Sequence, residues 1–323
     1  MNSTVQSLLA SYKGILAADE STNTITKRLA ALNLTSTPEL NKKYREMLFI
    51  TPDFEKYISG VILFDETIKQ GLGKILEEKG VIPGIKVDEG LEDFNGTEEQ
   101  VTKGLEGLSA RLDEYKLLGA KFTKWRAVIK ISDIYPSEAF LDETLGRMAK
   151  YAKLVQEKDM TPIVEPEVLL DGNHTTTRCE EIMTKTLKKL FEILKNENVD
   201  LENVILKSSM VLPGKDSGVT VMPLEVSNAT LRTFKNSVPN ETGGIVFLSG
   251  GQTPDQATNN LNEIVKLNKD NQFGSWNISF SYSRALQSEA MEAWAGKDEN
   301  IKSAQEVFLK RMMLVSKARM GEL

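Results

Sequence analysis

Short apolar runs, each closed by a polar or charged residue, recur eight times along the chain. The first four are Gly14-Ile15-Leu16-Ala17-Ala18-Asp19, Gly60-Val61-Ile62-Leu63-Phe64-Asp65, Ile82-Pro83-Gly84-Ile85-Lys86-Val87-Asp88 and Ala120-Lys121-Phe122-Thr123-Lys124-Trp125-Arg126. The others are Thr161-Pro162-Ile163-Val164-Glu165-Pro166-Glu167, Asn203-Val204-Ile205-Leu206-Lys207, Gly244-Ile245-Val246-Phe247-Leu248-Ser249 and Trp276-Asn277-Ile278-Ser279-Phe280-Ser281. Near-continuous apolar runs of this length predict strands covered on both faces. Amphipathic stretches separate them. Leu105, Leu108, Leu112, Tyr115 and Leu118 follow the helical period over 105–118, and 144–156 and 182–194 read the same way. Ala304, Phe308, Met312 and Val315 make one apolar stripe over 301–319, which predicts a final core-facing helix. The residues before Gly14 predict a short extra helix.

Strands alternating with helices predict parallel βαβ units, and eight units of roughly 40 residues suit a closed (β/α)8 TIM barrel of the α/β class. The expected organisation is a single barrel domain over 1–323 with a short N-terminal helical extension. An open doubly wound sheet is the competing architecture. Its G-x-G-x-x-G fingerprint does not follow the first strand.

Composition narrows the chemistry. Among 323 residues there is one histidine, His174, and one cysteine, Cys179. Zinc sites built on several His or Cys ligands cannot be assembled from that set, and no metal site or cofactor is expected. A Ser-His or Cys-His pair would have to use His174, whose place in Asp171-Gly172-Asn173-His174-Thr175 reads as a solvated loop histidine. A lone cysteine fits a reducing, cytoplasmic location. There is no run of 18 apolar residues, and the first 30 residues contain Asp19, Glu20, Lys27 and Arg28, so neither a spanning helix nor a secretory signal is expected. With 40 Lys and Arg against 46 Asp and Glu, the net charge of −6 argues against nucleic acid as the main partner. A small anion remains compatible, because a basic pocket can sit in an acidic protein. Chemistry in this chain must therefore rest on Lys, Asp, Glu, Ser and Tyr.

Reactive residues of barrels gather at the carboxyl ends of the strands. Here those ends carry Asp19, Asp65, Lys86 with Asp88, Lys124 with Arg126, Glu165 with Glu167, Lys207 and Ser249. Each pair is spaced by two, so both members share a face of their strand. Unpaired charge on the covered outer face of a parallel sheet is costly, which favours the barrel mouth. Lys207, after Val204-Ile205-Leu206, is either a buried ion-pair partner or a reactive amine. A nearby cation such as Lys124 would lower its pKa, and Glu165 could move protons.

Two anion sites are expected. Ser249-Gly250-Gly251 leads to Thr253-Pro254, an N-cap followed by a first-turn proline, in the loop after the seventh strand. That loop and the next form a recurrent phosphate site in barrels, over which Arg284 could close. Ser21, Thr24 and Lys86 make the second candidate.

Five segments together resemble class I fructose-1,6-bisphosphate aldolase. They are Leu16-Ala17-Ala18-Asp19-Glu20-Ser21-Thr22, Lys124-Trp125-Arg126, Val164-Glu165-Pro166-Glu167, Phe247-Leu248-Ser249-Gly250-Gly251-Gln252 and Phe280-Ser281-Tyr282-Ser283-Arg284-Ala285-Leu286. The resemblance implies metal-independent, reversible cleavage of fructose 1,6-bisphosphate to dihydroxyacetone phosphate and glyceraldehyde 3-phosphate. It implies Lys207 as the Schiff-base lysine and Glu165 as the acid/base of carbinolamine dehydration, with Glu167 counted in the catalytic set. Asp19 would assist cleavage at the C4 hydroxyl, and Lys124 would stabilise charged intermediates. Ser249, Gly250, Ser283 and Arg284 would hold the C1-phosphate. Ser21, Thr24 and Lys86, with Arg126 nearby, would hold the C6-phosphate. A homo-oligomer, commonly a tetramer, follows from the resemblance alone. A Schiff-base aldolase or transaldolase for another sugar phosphate, or an idle barrel scaffold, are the alternatives. Three departures stand out: Thr24 where the family often has Ser, Ser283 where it often has Gly, and an ending at Arg319-Met320-Gly321-Glu322-Leu323 without the tyrosine-bearing tail of the animal enzymes.

Overall fold

The computed structural model describes residues 1–323. Ten strands form, β1 (Gly14–Ala18), β2 (Ile58–Leu63), β3 (Ile82–Lys86), β4 (Leu91–Asp93), β5 (Gln100–Thr102), β6 (Phe122–Ile129), β7 (Thr161–Val168), β8 (Ile205–Ser208), β9 (Gly244–Phe247) and β10 (Ile278–Tyr282). Eight of them close a parallel barrel in the order β1-β2-β3-β6-β7-β8-β9-β10, with β10 returning to β1. The closure rules out the open sheet. All eight predicted runs are barrel strands. The antiparallel pair β4–β5 is an insertion between β3 and β6 that the apolar pattern did not announce, because β4 is wholly exposed.

The predicted helices form with shifted ends. The stretch 105–118 becomes a helix over Leu108–Leu117, starting after Gly107, whose φ of 66° is left-handed backbone that suits glycine. The stretches 144–156 and 182–194 lie inside longer helices, Glu138–Glu157 and Thr176–Asn196, whose starts are set by Ser137 and Thr175 accepting from backbone N–H groups. The final helix is Ile301–Met320.

Strand alternation divides the apolar residues into two cores. The larger fills the space between strands and helices. The smaller lies inside the barrel and contains Ile15, Ala17, Ile62, Phe122, Ile163, Ile205 and Val246. The expected N-terminal helix, Ser3–Leu8, seals its lower end with Val5, Leu8 and Leu9. It is pinned there by Ser59 Oγ and Arg319 Nη2, which donate to the carbonyls of Leu8 (2.6 Å) and Leu9 (2.9 Å).

This interior layer positions the chemistry. Lys124, Glu165 and Lys207 each follow an interior apolar residue (Phe122, Ile163, Ile205) by two, so they face the same axis one layer higher. Interior packing leaves little slack. A Cβ built on Gly84 would meet the Phe122 ring at 2.3 Å. Gly84→Ala should therefore cost about 1–3 kcal/mol through overpacking. Urea unfolding of the variant checks this, and an unchanged midpoint would show that Phe122 can move aside.

Candidate active site

A cavity of about 700 Å³ opens at the carboxyl ends of β1, β3 and β6. Asp19, Ser21, Thr24, Lys86, Asp88, Lys124, Arg126 and Ser283 all line it. Asp19 arrives because β1 ends at Ala18 and the chain turns directly into the helix Thr22–Ala30. Ser21 is that helix's N-cap residue but makes no side-chain cap bond; its hydroxyl lies 3.2 Å from Thr24 Oγ1. Two hydroxyls and the free N–H groups of a helix start thus share one wall.

A chain of alternating charges runs behind that wall. Lys207 Nζ lies 3.0 Å from Glu165 Oε1, and Glu165 Oε2 lies 3.4 Å from Lys124 Nζ. Lys124 Nζ lies 2.6 Å from Asp19 Oδ2 and 4.0 Å from Asp88 Oδ2, and Asp88 Oδ1 lies 2.7 Å from Lys86 Nζ. Lys124, Glu165 and Lys207 are each buried. Three ammoniums facing three carboxylates make the group neutral overall, which is what makes its burial tolerable.

Burial alone would raise the Asp19 carboxyl, but Lys124, with Lys207 and Lys86, outweighs it and holds the pKa down at about 2. Glu165 is likewise held below the ordinary carboxylate range: burial pushes up, and Lys207, then Lys124 and Arg126, push down harder. For Lys124, burial is outweighed by Asp19, Glu165 and Asp88, and the ammonium is held well above its usual value.

Of the three pairs spaced by two, one closes on itself and the other two exchange partners between strands. Lys86 and Asp88 pair with each other, and Arg126 Nε donates to Glu167. Glu167 therefore lies on Arg126, with no contact to Lys207. One expectation about Lys207 changes. The group against its amine is the carboxylate of Glu165, and Lys124 stands on the far side of that carboxylate. Strand alternation gives the face a residue uses but not the order of charges across the barrel.

The loop after β9, where the other anion site is expected, is built separately. Gly250 and Gly251 take left-handed backbone (φ 54° and 86°) and turn the chain so that Gln252 N–H reaches Ser249 O at 3.0 Å. Thr253 caps the helix Pro254–Leu267 as expected, in a reciprocal box with Gln256. Arg284 opens the helix Arg284–Trp294, and its Nη2 lies 4.0 Å from where a Cβ on Gly251 would be. Ser249, Gly250 and Arg284 do not line the 700 Å³ cavity, nor do Glu165 and Lys207, which connect to it through Lys124.

Ser283 donates to Glu20 Oε1 at 2.9 Å and accepts from Arg28 Nη2 at 3.0 Å. Arg28 was missed by the sequence reading, although Ser21, Thr24 and Arg28 (i, i+3, i+7) fall on one helix face and all three line the cavity. His174 requires a correction. It is buried rather than solvated, because the segment after β8 covers its loop: Gly214 N–H reaches His174 O at 2.8 Å and Asp216 N–H reaches Gly172 O at 2.9 Å. Burial holds its pKa below the usual histidine value. No group of three or more His, Cys, Asp or Glu side chains is arranged to hold a metal ion.

A closed parallel barrel with a buried lysine–carboxylate chain at the carboxyl ends of its strands defines a barrel enzyme. Comparison with known proteins gives the family. The family model described as glycolytic fructose-bisphosphate aldolase class-I matches residues 1–323. A cytosolic fructose-bisphosphate aldolase of Arabidopsis thaliana is 44% identical over 316 residues, covering 96% of this chain and 80% of that protein. A probable class 1 aldolase of Xanthomonas campestris is 44% identical over 328 residues, covering 99% of this chain and 97% of that protein. A solved structure of fructose-bisphosphate aldolase from Plasmodium falciparum, in complex with TRAP and a small-molecule inhibitor, superposes with a TM-score of 0.94 at 41% identity, covering 99% of this chain and 93% of that one. The chain belongs to the class I fructose-bisphosphate aldolases.

Proposed function

We propose that this aldolase cleaves fructose 1,6-bisphosphate through an iminium on Lys207, with Glu165 and Asp19 moving the protons. The observation that carries the reading is the unbroken contact path Lys207–Glu165–Lys124–Asp19. An aldol cleavage needs an electron sink, and an iminium nitrogen supplies one.

Glu165 takes a proton from the Lys207 ammonium, the freed amine attacks the C2 carbonyl, and a proton passes from the nitrogen to the carbonyl oxygen to give a neutral carbinolamine. The same carboxyl returns the proton to the departing hydroxyl, water leaves, and the iminium forms beside a carboxylate. Asp19 then takes the C4 hydroxyl proton. The C3–C4 bond breaks, its electron pair moves through C2 onto the iminium nitrogen, and glyceraldehyde 3-phosphate departs. Protonation of the enamine at C3 and hydrolysis release dihydroxyacetone phosphate. Lys124 counters the negative charge that passes between the two carboxylates.

Ser249, Gly250, Ser283 and Arg284 would hold one phosphate. Ser21, Thr24, Lys86 and Arg126 would hold the other, with Glu167 orienting Arg126 through their ion pair. Residues 1–323 act as one barrel domain in this reading. A cytoplasmic homotetramer belongs to the same reading, supported for location by relatives named cytosolic. Neither nucleic acid nor membrane is a partner, and no helix is long and apolar enough to cross a membrane.

The test is a cleavage assay on fructose 1,6-bisphosphate with and without EDTA. Equal rates are expected. Activity lost on chelation and restored by a divalent metal would overturn the lysine mechanism.

A further inference from the structure

Asp88 holds an unusual position. The β3–β6 register sets Lys86 directly beside Lys124, so two ammoniums meet at one edge of the cavity. Asp88 lies between them. Its Oδ1 is 2.7 Å from Lys86 Nζ, which also donates to the Asp88 carbonyl at 2.6 Å. Its Oδ2 is sealed from solvent and has no hydrogen-bond partner. A buried carboxylate oxygen left without a donor is costly. Besides Lys86, the cation that approaches it is Lys124, whose Nζ stands 4.0 Å away and instead rests 2.6 Å from Asp19.

We propose that Asp88 is a positioning residue that couples an anion on Lys86 to the release of Asp19 from Lys124. The inference rests on the reading of Lys86 as a phosphate ligand and Asp19 as the C4 base. A phosphate dianion beside Ser21 and Thr24 draws Lys86 away from Asp88. Asp88 is then a buried carboxylate without its cation, and the ammonium able to satisfy it is Lys124, little more than an ångström beyond contact. As Lys124 moves toward Asp88, Asp19 loses its shortest ion pair and becomes a stronger base where the proton must be taken. No bond forms or breaks in this step; a phosphate at one end of the sugar readies the carboxylate at its middle.

The probes are fructose 1,6-bisphosphate, fructose 1-phosphate and phosphite dianion. In the wild-type protein the bisphosphate should turn over about tenfold faster than the monophosphate, and added phosphite should accelerate monophosphate cleavage. In Asp88→Asn the bisphosphate kcat should fall until the two sugars lie within about threefold, and phosphite should no longer accelerate. KM for the bisphosphate should not rise, because Lys86 no longer has to leave an ion pair to bind phosphate.

Lys86→Met gives an independent reading should Asp88→Asn fail to fold. It leaves Asp88 free to draw Lys124 at all times, so monophosphate kcat should rise about threefold while bisphosphate KM increases. The proposal is overturned if Asp88→Asn lowers both substrates by the same factor, if it keeps the phosphite response, or if Lys86→Met slows the monophosphate. Borohydride trapping of dihydroxyacetone phosphate on the wild-type protein reports the lysine chemistry separately; its failure would overturn the Lys207 assignment, a different result from any of these.

Discussion

Lys207→Met is expected to abolish covalent trapping of dihydroxyacetone phosphate by borohydride and to lower kcat on fructose 1,6-bisphosphate by about 10⁴-fold or more. The size of the loss follows from the nature of the step. Without an iminium the electron pair of the breaking C3–C4 bond has no acceptor, and the other groups of the mouth can only position a substrate that does not react. Methionine keeps the length and apolar stem of lysine, so the buried strand β8 should retain its packing. The variant does carry an electrostatic penalty. Glu165 loses its partner at 3.0 Å and keeps Lys124 at 3.4 Å, and breaking a buried pair of this kind costs about 3 kcal/mol. A thermal melt therefore belongs beside the assay, to separate lost chemistry from lost fold. Peptide mapping of the wild-type adduct decides the residue. The competing amine is Lys124, already held by Asp19 at 2.6 Å. An adduct on Lys124, or trapping that survives Lys207→Met, would remove Lys207 from the mechanism.

What the sequence made legible, and what it hid, divides along a physical line. The barrel strands were readable because a parallel strand covered on both faces needs a continuous apolar run, and eight short runs alternate with amphipathic helical stretches. The pair β4–β5 was hidden because it is three residues on each side with one strand fully exposed, so no burial pattern marks it. Spacings of two gave the face on which Lys86, Lys124 and Glu165 lie. Strand order sets Glu165 of β7 between Lys124 of β6 and Lys207 of β8, but it could not give the pairing of Lys124 with Asp19, which joins β6 to the end of β1 across the barrel mouth. His174 was misread for a similar reason: its cover is the segment around Gly214, forty residues further on. Local pattern carried the architecture. Contacts between distant segments decided which charge meets which.

Asp19→Asn should divide the reaction in two. Iminium formation draws on Lys207 and Glu165, whose contact at 3.0 Å does not include Asp19. Bond cleavage requires the C4 hydroxyl proton to leave, and an amide at position 19 cannot take it. The turnover of fructose 1,6-bisphosphate should fall by about 10³-fold, within the range for losing a positioned base. The covalent complex should then accumulate ahead of the block, so that borohydride captures a six-carbon bisphosphate adduct on Lys207, where the wild-type protein gives a mixture containing the three-carbon adduct. Mass spectrometry of the labelled peptide tells the two apart. Charge arithmetic supports a folded variant. Removing Asp19 leaves Lys124 with Glu165 at 3.4 Å and Asp88 at 4.0 Å, so the ammonium keeps two carboxylates nearby. Without a carboxylate at position 19, Lys124 is shared between Asp88 and Glu165, and its stronger hold on Glu165 slows the carbinolamine proton transfer, which predicts trapping that is slower to appear yet complete. A variant that forms no adduct would place Asp19 in iminium formation, and one that cleaves at the wild-type rate would require a different base at C4.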